Sequence, residues 1–145
     1  MKRILVATDG SESACRAVDY AAQRAQGDGA ELLIVNVIGG YGLPDSVLQK
    51  FSSGQHAWLQ ELLASQSAST LTEARERARK LGLGAIQLES REGEVASTLI
   101  EIAQERQVDA IVVGKRGASR AAGLLLGSVS QKLVSLAPLP VTIVP

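Results

Sequence analysis

The sequence predicts an α/β fold: a parallel β-sheet covered by helices on both faces. Three observations predict it. Short apolar runs of strand length recur along the chain, as in strands buried on both faces. Stretches with apolar residues at helical spacing lie between them. The two kinds alternate as β-α-β-α-β-α-β-α-β, an order that implies right-handed crossovers between parallel strands.

The elements follow in order. Residues 4–7 form the first apolar run, and Ala14, Ala17, Val18, Ala21, Ala22 and Ala25 then share one helix face. Residues 32–38 form the second strand, followed by a glycine-rich loop, Gly39-Gly40-Tyr41-Gly42. Residues 44–81 are mostly helical by composition. Ser52-Ser53-Gly54 divides them into a short helix and a longer one, and Gly82 supplies the stop. Within that stretch, residues 65–70 are small and polar and point to no particular element. Trp58, Leu59, Leu62 and Leu63 read as a packing stripe, and the charged run from Arg75 to Lys80 as a solvated helix face. Residues 85–88 make a weaker third strand, because Gln87 interrupts it. Val95, Leu99, Ile102 and Ala103 mark the next helix, residues 110–113 the fourth strand, and Val129, Leu133 and Leu136 a last helix before Pro138. Val141–Val144 is the fifth strand.

At 145 residues the chain suits one domain, 1–145, with one core. Fifteen basic and fifteen acidic residues cancel. That balance removes the whole-molecule basic field on which nonspecific nucleic-acid binding depends. Asp9 ends the first apolar run too early for a secretory signal, and no run approaches the length of a membrane span. Cys15 is the single cysteine, so an internal disulfide is excluded. The expectation is a cytoplasmic protein with neither membrane nor nucleic acid as partner.

In open parallel sheets, ligands sit beyond the carboxyl ends of the strands, at a topological switch point. That rule directs attention to Ala7-Thr8-Asp9-Gly10, to the end of the second strand at Val37, and to Gly114 onward. Val113-Gly114-Lys115-Arg116-Gly117 leaves a buried strand, and Gly127-Ser128 opens the last helix, giving G-x-x-G-x9-G-S. Gly127 would leave room for a phosphate beside the amides of Ser128, Val129 and Ser130, where the helix dipole favours an anion. The hydroxyls of Ser128 and Ser130 can add hydrogen bonds, and Lys115, Arg116 and Arg120 add positive charge. The alternative reading stays open: these glycines merely shape a turn and cap a helix. The spacing is neither a Walker A loop nor the G-x-G-x-x-G dinucleotide fingerprint.

On these residues the chain resembles the universal stress protein family, in its single-domain, ATP-binding subclass. The resemblance is carried by residues 4–11, by residues 109–114, by the close at residues 137–144, and by G-x-x-G-x9-G-S. It implies a five-stranded parallel sheet in the order 3-2-1-4-5, adenine nucleotide alpha hydrolase-like, with ATP as ligand. It implies that Ala7 and Asp9, after Thr8, contact adenosine or help place a metal, and that Val37 lies against adenine. Val113, Gly114 and Gly117 would border ribose and phosphates, while Gly127, Ser128 and Val129 hold the phosphates. Two positions depart from the family pattern, Asn36 where histidine is common, and Lys115-Arg116. The resemblance also implies a homodimer through Val141–Val144, and an apolar edge strand invites such pairing.

Asp9 keeps two readings, a ligand for Mg²⁺ carried with ATP and a cap for the following helix. His56 is the only histidine, and no serine–histidine–acid arrangement suggests itself. The reading is therefore a regulatory or sensor module of the stress response, not an enzyme, with at most slow ATP hydrolysis. Two alternatives remain. One is a nucleotide-using enzyme, against which Thr8-Asp9-Gly10-Ser11 matches neither a pyrophosphatase nor an adenylyltransferase loop. The other is an interaction module without nucleotide. A backbone-built cradle does not by itself separate ATP from ADP, AMP or cyclic AMP.

Overall fold

The computed structural model describes residues 1–39, 45–115 and 126–145. Strands β1 (Arg3–Ala7), β2 (Glu31–Ile38), β3 (Ile86–Glu92), β4 (Ala110–Gly114) and β5 (Val141–Val144) form one parallel sheet in the order β3-β2-β1-β4-β5. The helices are α1 (Glu12–Asp28), α2 (Asp45–Leu48), α3 (Ser53–Lys80), α4 (Val95–Glu105) and α5 (Ser128–Leu136). The expected fold class and strand order are what the chain adopts.

Alternation along each strand sends side chains to opposite faces. Ile4, Val6, Leu32, Ile34 and Val112 pack with Ala17, Ala21 and Ala25 of α1 and Leu71, Ala74 and Ala78 of α3. On the other face, Leu5, Leu33, Val35, Ile111 and Val113 pack with Leu99, Ile102 and Ala103 of α4 and Leu133 of α5. The alanine face of α1 lets that helix lie close to the sheet. Each fully buried leucine or isoleucine contributes roughly 1.5–3 kcal/mol. The start of β1 is tied to the start of β4, because Asp109 accepts the amides of Lys2 (2.7 Å) and Arg3 (3.0 Å). Those two amides hold the Asp109 carboxyl below its ordinary range.

Three local expectations change. The third strand is longer than residues 85–88, running Ile86–Glu92, because seven consecutive residues pair with β2. Its later residues are polar because β3 is an edge. Glu89, Arg91, Glu105 and Arg106 are joined there by ion pairs of 2.6–2.7 Å. Residues 65–70 lie inside α3, and Ser67 is buried. The stripe at Trp58 is not buried: Leu59 is, but Trp58 is 63% exposed and Leu62 40%. The cause is length. At 28 residues α3 spans about 42 Å, whereas β2 spans about 26 Å, so one end of the helix overhangs the sheet. Among the described residues, no helix is long and apolar enough to cross a membrane.

Candidate functional site

The strand order reverses at β1, which has β2 on one side and β4 on the other. This switch point opens a crevice at the carboxyl ends of β1 and β4. The helices begin at that same end of the sheet, because each crossover helix follows the strand it returns from.

The β1–α1 turn is built from its own side chains. The amide of Thr8 donates to the Val35 carbonyl (2.9 Å), and Thr8 Oγ1 accepts the amide of Gly10 (3.1 Å). Gly10 sits at φ +83°, which a side chain would resist. Asp9 Oδ1 accepts the amide of Ser11 (2.9 Å), and Ser11 Oγ accepts the amide of Ala14 (3.3 Å). Ser11 is thus the cap of α1, and Asp9 shapes the turn before it while staying exposed at the crevice.

Four of the expected contacts gather on the α4–α5 face. Val113 is buried in that cluster, and Ala7, Val37 and Val129 are half-buried against it. They belong to the packing of that face at the ends of β1, β2 and β4 and the start of α5. Gly114 has a different partner. A Cβ there would lie 2.4 Å from Ser13 Oγ and 2.8 Å from the Ser13 carbonyl carbon. This glycine therefore permits α1 to approach β4, and the space beside it is filled by α1 itself.

Beyond Gly114 the loop is pinned at its base. Lys115 donates its amide to Val144 (2.7 Å), and its carbonyl accepts the amide of Gly127 (2.9 Å). Ser130 is buried, and its hydroxyl donates to the carbonyl of Gly114 (2.8 Å), with Lys115 O at 3.3 Å. That hydroxyl holds the loop, while Ser128, two positions earlier, stays exposed. Arg116, Gly117, Arg120 and the loop residues Gly40, Tyr41 and Gly42 lie outside the described residues.

The helix starts differ in how they are capped. Ser11 caps α1, Ser52 and Gln55 form a capping box on α3, and Glu94 caps α4 through the amide of Ser97 (2.8 Å). Gly127 has no side chain with which to cap α5. The Glu94 carboxyl also takes the Ser97 hydroxyl (2.5 Å) and Lys132 Nζ (3.0 Å). Ser97, through hydroxyl and amide, and then Lys132 hold it down to about 2. The first amides of α5 thus keep the partial positive charge of a helix start, which suits a phosphate.

Two features escaped the sequence. Asn36, noted there only as a departure, donates from Nδ2 to the carbonyl of Thr8 (2.7 Å) and accepts the hydroxyl of Ser67 (2.6 Å). Glu94 is an unusual cap residue, and only its place before an apolar helical pattern hints at the role. Two cavities open near the strand ends. A pocket of about 210 Å³ has Asp9, Asn36, Gln66, Ser67 and Thr70 in its walls. A larger cleft of about 590 Å³ lies between α1 and α3, spanned by Arg77 paired with Asp19. Among the described residues none of β4 or α5 lines that larger cleft, so volume does not mark the phosphate cradle. Among the described residues no group of three or more His, Cys, Asp or Glu side chains could hold a metal ion.

Comparison with known proteins bears on this arrangement. The sequence profile of the universal stress protein family matches residues 1–145. Universal stress protein YxiE of Bacillus subtilis is 33% identical over 145 residues, covering 98% of this chain and 97% of its own. Among solved structures, a universal stress protein in complex with cAMP superposes with a TM-score of 0.71 at 31% identity, covering 99% of this chain and 96% of its own. Universal stress protein UspA from Lactobacillus plantarum shares the fold with a TM-score of 0.81 at 24% identity, covering 99% and 97%.

Proposed function

The chain belongs to the universal stress protein family, and we propose that it binds ATP at the β1–β4 switch point as a regulatory module. The observation that carries the reading is the start of α5. It lies beside the switch point and has glycine where the other long helices carry a capping side chain. The phosphates take the amides of Ser128, Val129 and Ser130 and the Ser128 hydroxyl, with Lys115 neutralising charge. The base and ribose lie against Ala7, Val37 and Val113. The family member seen with cAMP supports an adenine nucleotide as the ligand class.

Asp9 is the carboxylate we assign to a Mg²⁺ ion accompanying the phosphates. Such an ion takes one or two carboxylates and completes its shell with phosphate oxygens and water. A single exposed carboxylate at the crevice fits that pattern. The activity we assign is binding, with turnover slow or nil. The role is sensing in a cytoplasmic stress response, through altered partner contacts.

We also assign a homodimer through β5. The β3 edge is guarded by ion pairs, as edges that avoid pairing are. The β5 edge is four residues, VTIV, all half-exposed. Next to it, Val134 and Leu136 of α5 are 57% and 65% exposed. Leu136→Glu is expected to shift sedimentation toward the monomer. A wild type that sediments as a monomer at micromolar concentration removes this assignment.

The experiment for the nucleotide is to release and identify whatever co-purifies, then titrate ATP, ADP, AMP and cyclic AMP. Tight ATP binding with turnover below about one per minute, far under a typical enzyme's ~10 per second, supports the reading. Robust turnover makes the protein an enzyme. No binding makes it an interaction module.

A further inference from the structure

We propose that Asn36 is a positioning residue that sets the β1–α1 turn from the neighbouring strand β2, so that Asp9 faces the phosphate end of the nucleotide. The inference rests on the nucleotide reading above. Asn36 lies on β2 opposite Ser90 of β3, on the strand face shared with Leu32 and Ile34, where α1 and α3 pack. Its side chain reaches to β1 at the point where that strand ends.

The protons of this cluster can be assigned one after another. The Thr8 carbonyl only accepts, so the atom 2.7 Å from it must be the amide nitrogen of Asn36. That fixes Asn36 Oδ1 toward Ser67, whose hydroxyl donates to it at 2.6 Å. Ser67 has then used its one proton, so the Ser90 hydroxyl, 2.7 Å away, donates to Ser67. The polarity runs one way, from β3 through α3 to β2 and on to β1. Ser67 is only 4% exposed, which shields the link at its centre and makes a broken link costly.

The carbonyl so held belongs to the residue whose own hydroxyl accepts Gly10 N, just before Asp9 accepts Ser11 N. Asn36 therefore anchors the one peptide from which the turn departs. Asp9 itself shapes the turn, and nothing else is required of Asn36 than to fix its starting point. Because α3 supplies Ser67, the aim of Asp9 is also coupled to the helix whose overhanging end carries exposed Trp58.

Asn36→Asp keeps shape and acceptor but loses the donor to Thr8. Its affinity for ATP with Mg²⁺ should fall about tenfold, the scale of one buried hydrogen bond, and its affinity for AMP less than about twofold. The Gly10 and Ser11 amide resonances should move, and those of Ser128 and Val129 should not. Ser67→Ala, which leaves the turn's own residues intact, should give the same pattern at roughly a third of the size, and it covers the case in which the aspartate variant folds poorly. Equal losses for AMP and ATP–Mg²⁺, or full affinity with unmoved turn resonances, would overturn the proposal. A wild type that binds no nucleotide would remove the underlying reading and this role with it. That result is distinct from a wild type that binds and variants that bind equally well.

Discussion

α4 and α5 pack side by side on one face of the sheet and begin at the same end, yet their starts are built oppositely. α4 begins at Glu94, whose carboxylate takes the Ser97 amide and hydroxyl and draws Lys132 across from α5. Its positive end is answered from within the chain. α5 begins at Gly127, which offers no side chain, and its first exposed hydroxyl is Ser128. Both starts face the same field, since the macrodipole depends on backbone alone. The difference shows how one element serves two ends. The start of α4 carries its own anion, and the start of α5, clear of one, is where we propose that an anion arrives from outside.

The contrast can be broken by installing at α5 what α4 already has. Gly127→Asp should lower ATP affinity on the order of 100-fold, because the new carboxylate takes the amides and repels phosphate. The melting temperature should hold or rise slightly, since aspartate caps a helix at least as well as glycine. Calorimetric titration and a thermal melt check both halves. Ser128→Ala should cost about tenfold in ATP affinity with an unchanged melt, as the hydroxyl is exposed and the bond we propose for it is to ligand. Glu94→Ala removes the cap from α4 instead. It should lower stability by about 0.5–1 kcal/mol, at the small end for a group in solvent, and leave ATP affinity within about twofold.

The smallest effect is a pH dependence. Glu94 titrates near 2 when folded and near its ordinary value of 4.5 when unfolded. A carboxyl with a lowered folded value stabilises above the unfolded value, and that contribution is lost as pH falls toward 2. Denaturation profiles of wild type and Glu94→Gln should therefore differ above pH 4.5 and converge toward pH 2. Curves that stay parallel through that window would mean the carboxylate does not hold the helix start.

Much of the fold is written locally. The apolar runs of β1, β2 and β4 and the alanine face of α1 read directly, because each is a periodic pattern with one physical meaning. β3 reads short in sequence because its polar residues are those of an edge, and their pairing with β2 is a long-range fact. Residues 65–70 point to no element in sequence, because it is α3 packing on the sheet that places Ser67 against Asn36. The start of the last helix at Gly127 and Ser128 is legible too, because a glycine precedes an apolar helical pattern there. The resemblance places Gly114 beside the ligand; in the structure its close neighbour is Ser13, about a hundred residues away in sequence, and spacing carries no trace of that approach. The spacing also offers the Ser130 hydroxyl to a phosphate, whereas that hydroxyl turns inward to the Gly114 carbonyl.

The central claim is that α5, and not α4, meets the nucleotide phosphates. Amide resonances followed during an ATP titration test it most directly. Ser128 and Val129 should shift and saturate with the ligand, while Ala96 and Ser97 at the capped start of α4 stay in place. Saturating shifts at Ala96 and Ser97 with Ser128 and Val129 unmoved would contradict the account.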